Sequence, residues 1–81
     1  MDIEQKAKRS KALLENEYFV ATMKDLRNDQ MVVFANSAAD EIERREEAHA
    51  MLRAINLIER SLQADMDALK LLTKERHRGN D

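Results

Sequence analysis

The chain has 81 residues, a formal net charge of −2, one glycine, no proline and no cysteine. A chain of this length forms one domain at most, and without cysteine it has no disulfide to supplement a small core. Turns in sheets favour glycine, proline and asparagine, so their scarcity argues against β-structure, and the mixed charges (37% of residues) indicate a solvated helical surface rather than a nucleic-acid footprint.

A short first helix is predicted over residues 2–14. Its thin apolar stripe has helical spacing and consists of Ile3, Ala7 and Leu14. The polar sequence Glu15-Asn16-Glu17 follows and is a weak signal for an interruption of the helix. Asn16 can end the first helix in a left-handed conformation, cap the next helix, or stay within one continuous helix.

A second helix is predicted over residues 17–35, with its apolar residues on one stripe and the polar run Asn28-Asp29-Gln30 in the middle of it. We expect this stripe to hold a helical hairpin together through Phe19, Met23, Leu26 and Phe34. In the turn that follows, Ser37 or Asp40 is expected to cap the third helix, because a side-chain oxygen there can accept from its first N–H groups.

The strongest pattern predicts a long third helix over residues 41–74. Every seventh position carries an apolar residue, as is typical of a coiled-coil seam: Ala48, Ile55, Leu62 and Leu69. At 1.5 Å per residue this helix is about 50 Å long, so its apolar stripe needs a neighbour along its whole length. Residues 75–81 are predicted to form a polar tail that Gly79 interrupts.

These elements predict a single all-α domain: an antiparallel helical hairpin with a long, coiled-coil-like C-terminal helix and a short N-terminal helix. The second helix is too short to cover the distal part of the third. The first helix or a second subunit can cover it, and we expect a homo-oligomer, a dimer first and a trimer or higher ring as the variant. The predicted interface consists of Ile55, Ile58, Leu62, Met66, Leu69 and Leu72.

No catalytic, cofactor or metal site is predicted. His49 lacks the second histidine of a zinc-protease motif, since position 53 is Arg53. Asp65 and Asp67 are two residues apart, which places them on different faces of a helix and excludes a paired-carboxylate site. The serines have no glycine elbow, and the chain has no glycine-rich phosphate loop. We therefore expect no enzymatic activity and no small-molecule ligand.

Two basic stretches, residues 6–11 and 74–78, support an alternative function as a small nucleic-acid-binding accessory or regulator. The candidate phosphate contacts are Lys6, Lys8, Arg9, Lys11, Lys74, Arg76 and Arg78. A dimer would present each stretch twice. The acidic central body and the lack of a helix-turn-helix pattern weigh against this alternative.

Membrane association is not expected. The longest apolar run, residues 31–35, is far shorter than the ~20 residues that cross a bilayer, and the first helix has too little apolar face for a membrane surface. No secretory signal is recognised at the N-terminus. We expect a soluble, cytoplasmic protein, and the lack of cysteine fits a reducing compartment.

Three short segments carry a resemblance to a known group. They are Ala-Leu-Leu-Glu-Asn-Glu-Tyr-Phe at 12–19, Arg-Arg-Glu-Glu-Ala-His at 44–49, and Leu-Arg-Ala-Ile at 52–55 with Leu62. Over residues 7–65 the chain resembles small helical accessory proteins encoded among the head and DNA-packaging genes of tailed bacteriophages. In that group a Leu-Leu pair precedes a polar break and a Phe, and an Arg-Glu pair opens a long final helix.

The resemblance implies a role in virion assembly or DNA packaging, in the host cytoplasm or the virion, and it supplies no catalytic residues. The leading hypothesis from the sequence is a non-enzymatic helical oligomer that binds another protein. With the resemblance, that partner would be a capsid, portal or terminase component.

Overall fold

The computed structural model describes residues 1–79 and contains three α-helices and, within those residues, no strand. Helix α1 spans Ile3–Glu15, α2 spans Glu17–Asn36 and α3 spans Ile42–Gly79. The all-α prediction is confirmed, as is the order of a short, a medium and a long helix. Residues 80–81, the end of the predicted tail, lie outside the described residues.

α3 continues to Gly79 instead of ending at residue 74 as predicted. Its last turn carries three basic residues, which interact favourably with the negative end of the helix dipole. One of them, Arg76, also forms an ion pair of 3.1 Å with Glu4 of α1. A favourable charge pattern and a docked neighbour therefore extend the helix through a segment whose lack of apolar residues had predicted a frayed tail.

A single residue, Asn16, separates α1 from α2. Its backbone is extended, with φ −75° and ψ 116°, and its N–H donates to Leu13 O at 3.1 Å, which closes α1. Its side-chain oxygen accepts from the Phe19 N–H at 2.8 Å, which caps α2. Of the three roles open to Asn16, the structure selects the cap of the second helix.

The turn between α2 and α3 is held by Ser37 and Glu41, and Ser37 does not have its predicted role as a cap of α3. Ser37 Oγ donates to Phe34 O at 2.8 Å, so this hydroxyl closes α2 instead of capping α3. The Glu41 carboxylate reaches back and accepts from the Ala38 N–H, also at 2.8 Å. No residue from 1 to 79 has a positive φ angle, which explains how this turn forms without glycine.

α1 and α2 lie one after the other along α3, and both run antiparallel to it. Four contacts fix this register along the molecule: Glu4–Arg76, Ser10–Asp65, Arg27–Glu59 and Phe34–His49. The result is a rod two helices thick, with extents of 62 × 23 × 20 Å. The antiparallel hairpin is confirmed, and α1 docks on the distal half of α3, the part that α2 does not reach.

The core is a single line of side chains between the two layers. Ala48 and Ile55, the first two heptad residues, are 1% and 3% exposed, and they share the core with Ala7 and Met23. The accessible surface is 6619 Å², whereas a compact monomer of this mass exposes roughly 5,000 Å². The rod shape therefore leaves far more surface in contact with solvent than a globular fold would.

Asn16→Ala tests the break between α1 and α2. The substitution removes the oxygen that accepts from the Phe19 N–H and should lower the free energy of unfolding by about 1 kcal/mol. For a domain of this size, Tm should fall by roughly 4–8 °C in thermal unfolding followed by circular dichroism.

Asn16→Asp is the matched control, because it keeps an oxygen acceptor in the same place and should retain the stability of the unmodified chain. Equal losses in the two variants would mean that this side chain does not stabilise the fold as a cap.

Candidate binding surfaces

The residues predicted to form an oligomer interface mostly face α1 and α2 within the same chain. Ile55 is buried and Ile58 is 46% exposed. The other four are half-buried: Leu62, Met66, Leu69 and Leu72. The distal part of the seam is thus covered by α1, the N-terminal helix of the same chain. Pairing of these residues with a second copy stays a prediction.

The four predicted hairpin residues divide into two pairs. Met23 is buried and Phe19 is half-buried in the contact with α3. Leu26 and Phe34 lie largely outside it, 39% and 46% exposed, although the Phe34 ring packs at 6.4 Å from the His49 ring. The reason is that polar side chains, chiefly Arg27, take up part of the α3-facing surface of α2.

Arg27 defines one side of the α2–α3 hairpin. Its guanidinium forms an ion pair of 2.8 Å with Glu59 and donates to the Asn56 side chain at 3.3 Å. Both members of the ion pair are about one third exposed. An ion pair with that exposure contributes little to stability, but it fixes which residues of the two helices lie level with each other.

An apolar patch lies on the opposite side of the hairpin. Leu26 and Ile58 each precede a member of the Arg27–Glu59 pair, and one residue is a rotation of about 100° around a helix. Because the helices are antiparallel, both rotations turn toward the same side. The resulting hairpin patch consists of Leu26, Val33, Met51 and Ile58, of which only Val33 is half-buried.

Two adjacent cavities on the Arg27 side of the rod, between α3 and the other two helices, together form a basic groove. At the distal end, Lys8 and Lys11 of α1 face Lys70 of α3. Toward the turn between α2 and α3 (residues 37–41, called the hinge below), the same side carries Lys24 and Arg60. The floor of the groove is mainly apolar and includes Ala7, Leu14, Phe19, Met23, Met66 and Leu69. Toward the hinge, the Arg27–Glu59 ion pair crosses it.

The fold brings the two predicted basic stretches together. They are far apart in sequence, but the antiparallel docking of α1 places them at one end of the rod. Lys8 and Lys11 line the groove, and Arg76 pairs with Glu4. The remaining candidate phosphate contacts are exposed on the same end: Lys6, Arg9, Lys74 and Arg78. Lys24, Arg60 and Lys70 were not predicted, because only docking shows that they flank an apolar floor.

Charge is unequally distributed along the rod. The distal half, residues 2–15 and 63–79, carries more cations than anions. The hinge half, residues 16–62, carries more anions than cations, with most of them near the start of α3. Although the net charge of the chain is small, the rod therefore has a basic end and an acidic end.

One hydrogen bond between α1 and α3 is shielded from solvent. Ser10, only 3% exposed, donates to the half-buried Asp65 carboxylate at 2.7 Å. A polar pair in this position favours one register of α1 on α3. Asp67 bonds instead to Gln63 on its own helix, at 3.1 Å, so the two aspartates point in different directions.

Residues 1–79 contain no group of three or more His, Asp or Glu side chains arranged to hold a metal ion. His49 is exposed and lies beside Phe34. Within the same described range, none of the helices is both apolar enough and long enough to span a membrane. Comparison with protein-family models, with curated proteins and with solved structures gives no match.

Glu41 has a lowered pKa at the hinge. Its ordinary value is 4.5, and the hydrogen bond from the Ala38 N–H lowers it first, followed by the bond from the Arg44 guanidinium. A carboxyl group with a lowered folded-state pKa stabilises the fold above its ordinary pKa, and this stabilisation is lost as the pH falls through the lowered value.

Glu41→Gln should therefore be less stable than the unmodified chain at neutral pH. The difference should shrink as the pH falls below 4.5 and disappear below the lowered folded-state pKa, because both side chains are then uncharged. Urea unfolding at a series of pH values measures this difference. A gap that stays constant into strong acid would contradict a role for the Glu41 charge.

Proposed function

We propose that this chain is a non-enzymatic binding module that acts as a homodimer and binds another protein. The observation that carries the proposal is the hairpin patch. Three of its apolar residues, Leu26, Met51 and Ile58, are 39–46% exposed on one side of the rod. Leu57, on the neighbouring outward surface of α3, is 59% exposed. Exposed apolar residues grouped on one side of a protein are typical of interaction sites.

The total surface supports a second copy as one occupant. The chain exposes 6619 Å², an excess of roughly 1,600 Å² over a compact monomer of the same mass. A standard interface buries about 800 Å² on each partner. Dimerisation therefore removes about half of that excess and supplements a core that has few buried side chains.

The charge distribution favours an antiparallel dimer. The hairpin patch lies within the hinge half, next to the middle of α3. A twofold axis through the patch places the acidic hinge of each copy beside the basic distal half of the other. Charge complementarity of this kind selects orientation and increases the rate of association.

The protein partner is proposed from the resemblance to phage head and packaging accessories. On that basis the partner is a capsid, portal or terminase component, and the setting is the host cytoplasm or the virion.

Ile58→Asp tests the dimer. The substitution places a charge in the middle of the hairpin patch and should raise the dimer dissociation constant by at least about tenfold, since 1.4 kcal/mol corresponds to that factor. Sedimentation velocity with light scattering over a wide concentration range measures it. Helicity should be unchanged, because Ile58 is half-exposed in the single chain.

Leu71→Asp is the matched control, because Leu71 lies on the same helix, is 60% exposed and is outside the patch. Leu62→Asp places the same charge in the seam that α1 and α2 cover, and it should lower the stability of the single chain at every concentration. An unmodified chain that is monomeric throughout, or a dimer that only Leu62→Asp disrupts, would contradict the proposed interface.

Nucleic-acid binding is the second candidate, and the convergence of the two basic stretches at the distal end favours it. Lys6, Arg9, Lys74 and Arg78 are all exposed there, so several phosphates can be contacted at once.

The unmodified chain should then retard duplex DNA in gels at low salt, with an affinity that falls steeply as salt rises. Lys6→Glu combined with Arg9→Glu should abolish the retardation. Retardation that does not depend on salt, or that survives the double variant, would exclude phosphate contacts by this end.

A further inference from the structure

The basic groove has the chemistry of a receptor for a helix. We propose that it binds an acidic amphipathic helix of a partner protein. This inference rests on the proposed function as a protein-binding module and names the chemical class of the partner. It does not require the dimer, because the groove lies on the side of the rod opposite the hairpin patch.

The floor of the groove supplies the apolar half of such a site. Ala7, Met66 and Leu69 form it at the distal end, and Phe19 and Met23 continue it toward the hinge. Toward the hinge, the Arg27–Glu59 ion pair and the Asn56 side chain interrupt this apolar strip. Methionine side chains adapt to the shape of an inserted residue, and grooves with an apolar floor accept amphipathic helices through anchors at i, i+3, i+4 and i+7.

The walls of the groove supply the charge. Four cations of the walls form no ion pair in the described part of the chain: Lys8, Lys24, Arg60 and Lys70. Lys11 forms an exposed ion pair with Glu15, and the pair is weak because its N–O distance is as long as 4.0 Å. The two acids that line the groove are already paired with cations, Glu4 with Arg76 and Glu59 with Arg27. The complement of these walls is a helix with Asp and Glu on both sides of an apolar stripe.

The shape of the groove also fits a helix. Its lining on α3 runs from Asn56 to Lys70, a rise of about 21 Å at 1.5 Å per residue. A helix of roughly 14 residues matches this length. Two helices packed side by side leave a groove that a third helix fills, so the bound partner would complete a three-helix bundle over the half-buried Met66 and Leu69.

An acidic helix fits this surface better than a nucleic acid does. A nucleic acid needs clustered phosphate contacts or donors for base edges, whereas here the cations are separated by an apolar strip. Several of the cations best exposed for phosphates, such as Lys6 and Arg9, are outside the groove. The two kinds of ligand therefore depend on different residues, which makes them separable by mutation.

The test uses a fluorescein-labelled synthetic peptide of about 18 residues, long enough to span the groove as a helix, with leucines at heptad spacing and glutamates beside them. The fluorescence anisotropy of this peptide is measured while the full chain is added at increasing concentration. A second peptide has the same composition in scrambled order, and a third has lysine in place of each glutamate. The acidic amphipathic peptide should bind, and the other two should bind at least about tenfold more weakly.

Lys8→Glu combined with Lys70→Glu reverses the charge of one cation on each distal wall of the groove. This double variant should bind the acidic peptide at least about tenfold more weakly. The same double variant should gain affinity for the lysine peptide. Lys6→Glu combined with Lys74→Glu is the matched control, because it changes the net charge of the same end equally but lies outside the groove. Circular dichroism checks that both double variants keep their helicity, as expected for exposed side chains.

Three results would overturn the proposal: equal binding of the scrambled acidic peptide, equal loss of affinity in the control double variant, or competition by single-stranded DNA that depends on Lys8 and Lys70. The titration is repeated in Ile58→Asp, which is expected to be monomeric. Peptide binding that persists there separates the groove from the dimer, so failure of one leaves the test of the other intact.

Discussion

The apolar stripe of α3 is the constraint on which the rest of the structure depends. α3 has 38 residues, and its heptad residues cannot remain in water along such a length. No single helix elsewhere in the chain is long enough to cover it. α1 and α2 together are, provided that the chain changes direction slightly between them. Asn16 supplies that change without a glycine or a proline, because it closes one helix and caps the next.

This solution leaves a rod whose two sides differ in chemistry. Arg27 and Glu59 lie on one side of the hairpin, and the residues that precede them lie on the other. The rod is only two layers thick, so each side is close to the core and also open to solvent. The basic groove and the hairpin patch are therefore consequences of one packing arrangement.

The docking of α1 has a further consequence for electrostatics. Its antiparallel register, favoured by the shielded Ser10–Asp65 hydrogen bond, brings the cations of α1 next to those at the end of α3. Repulsion between like charges opposes this arrangement, and the Glu4–Arg76 pair offsets part of it.

The sequence by itself determined the helices. The heptad of Ala48 and Ile55, the scarcity of turn residues and the polar break at Asn16 are local features, and helix formation depends on local spacing and capping. Only the tertiary structure decided what covers the distal seam, because a helix of the same chain and a second subunit offer the same apolar contact. Tertiary packing also decided that Leu26 lies at the surface while Lys70 faces Lys8 across a groove. Those positions depend on the rotation and register of one helix against another, which the periodicity of a single helix does not contain.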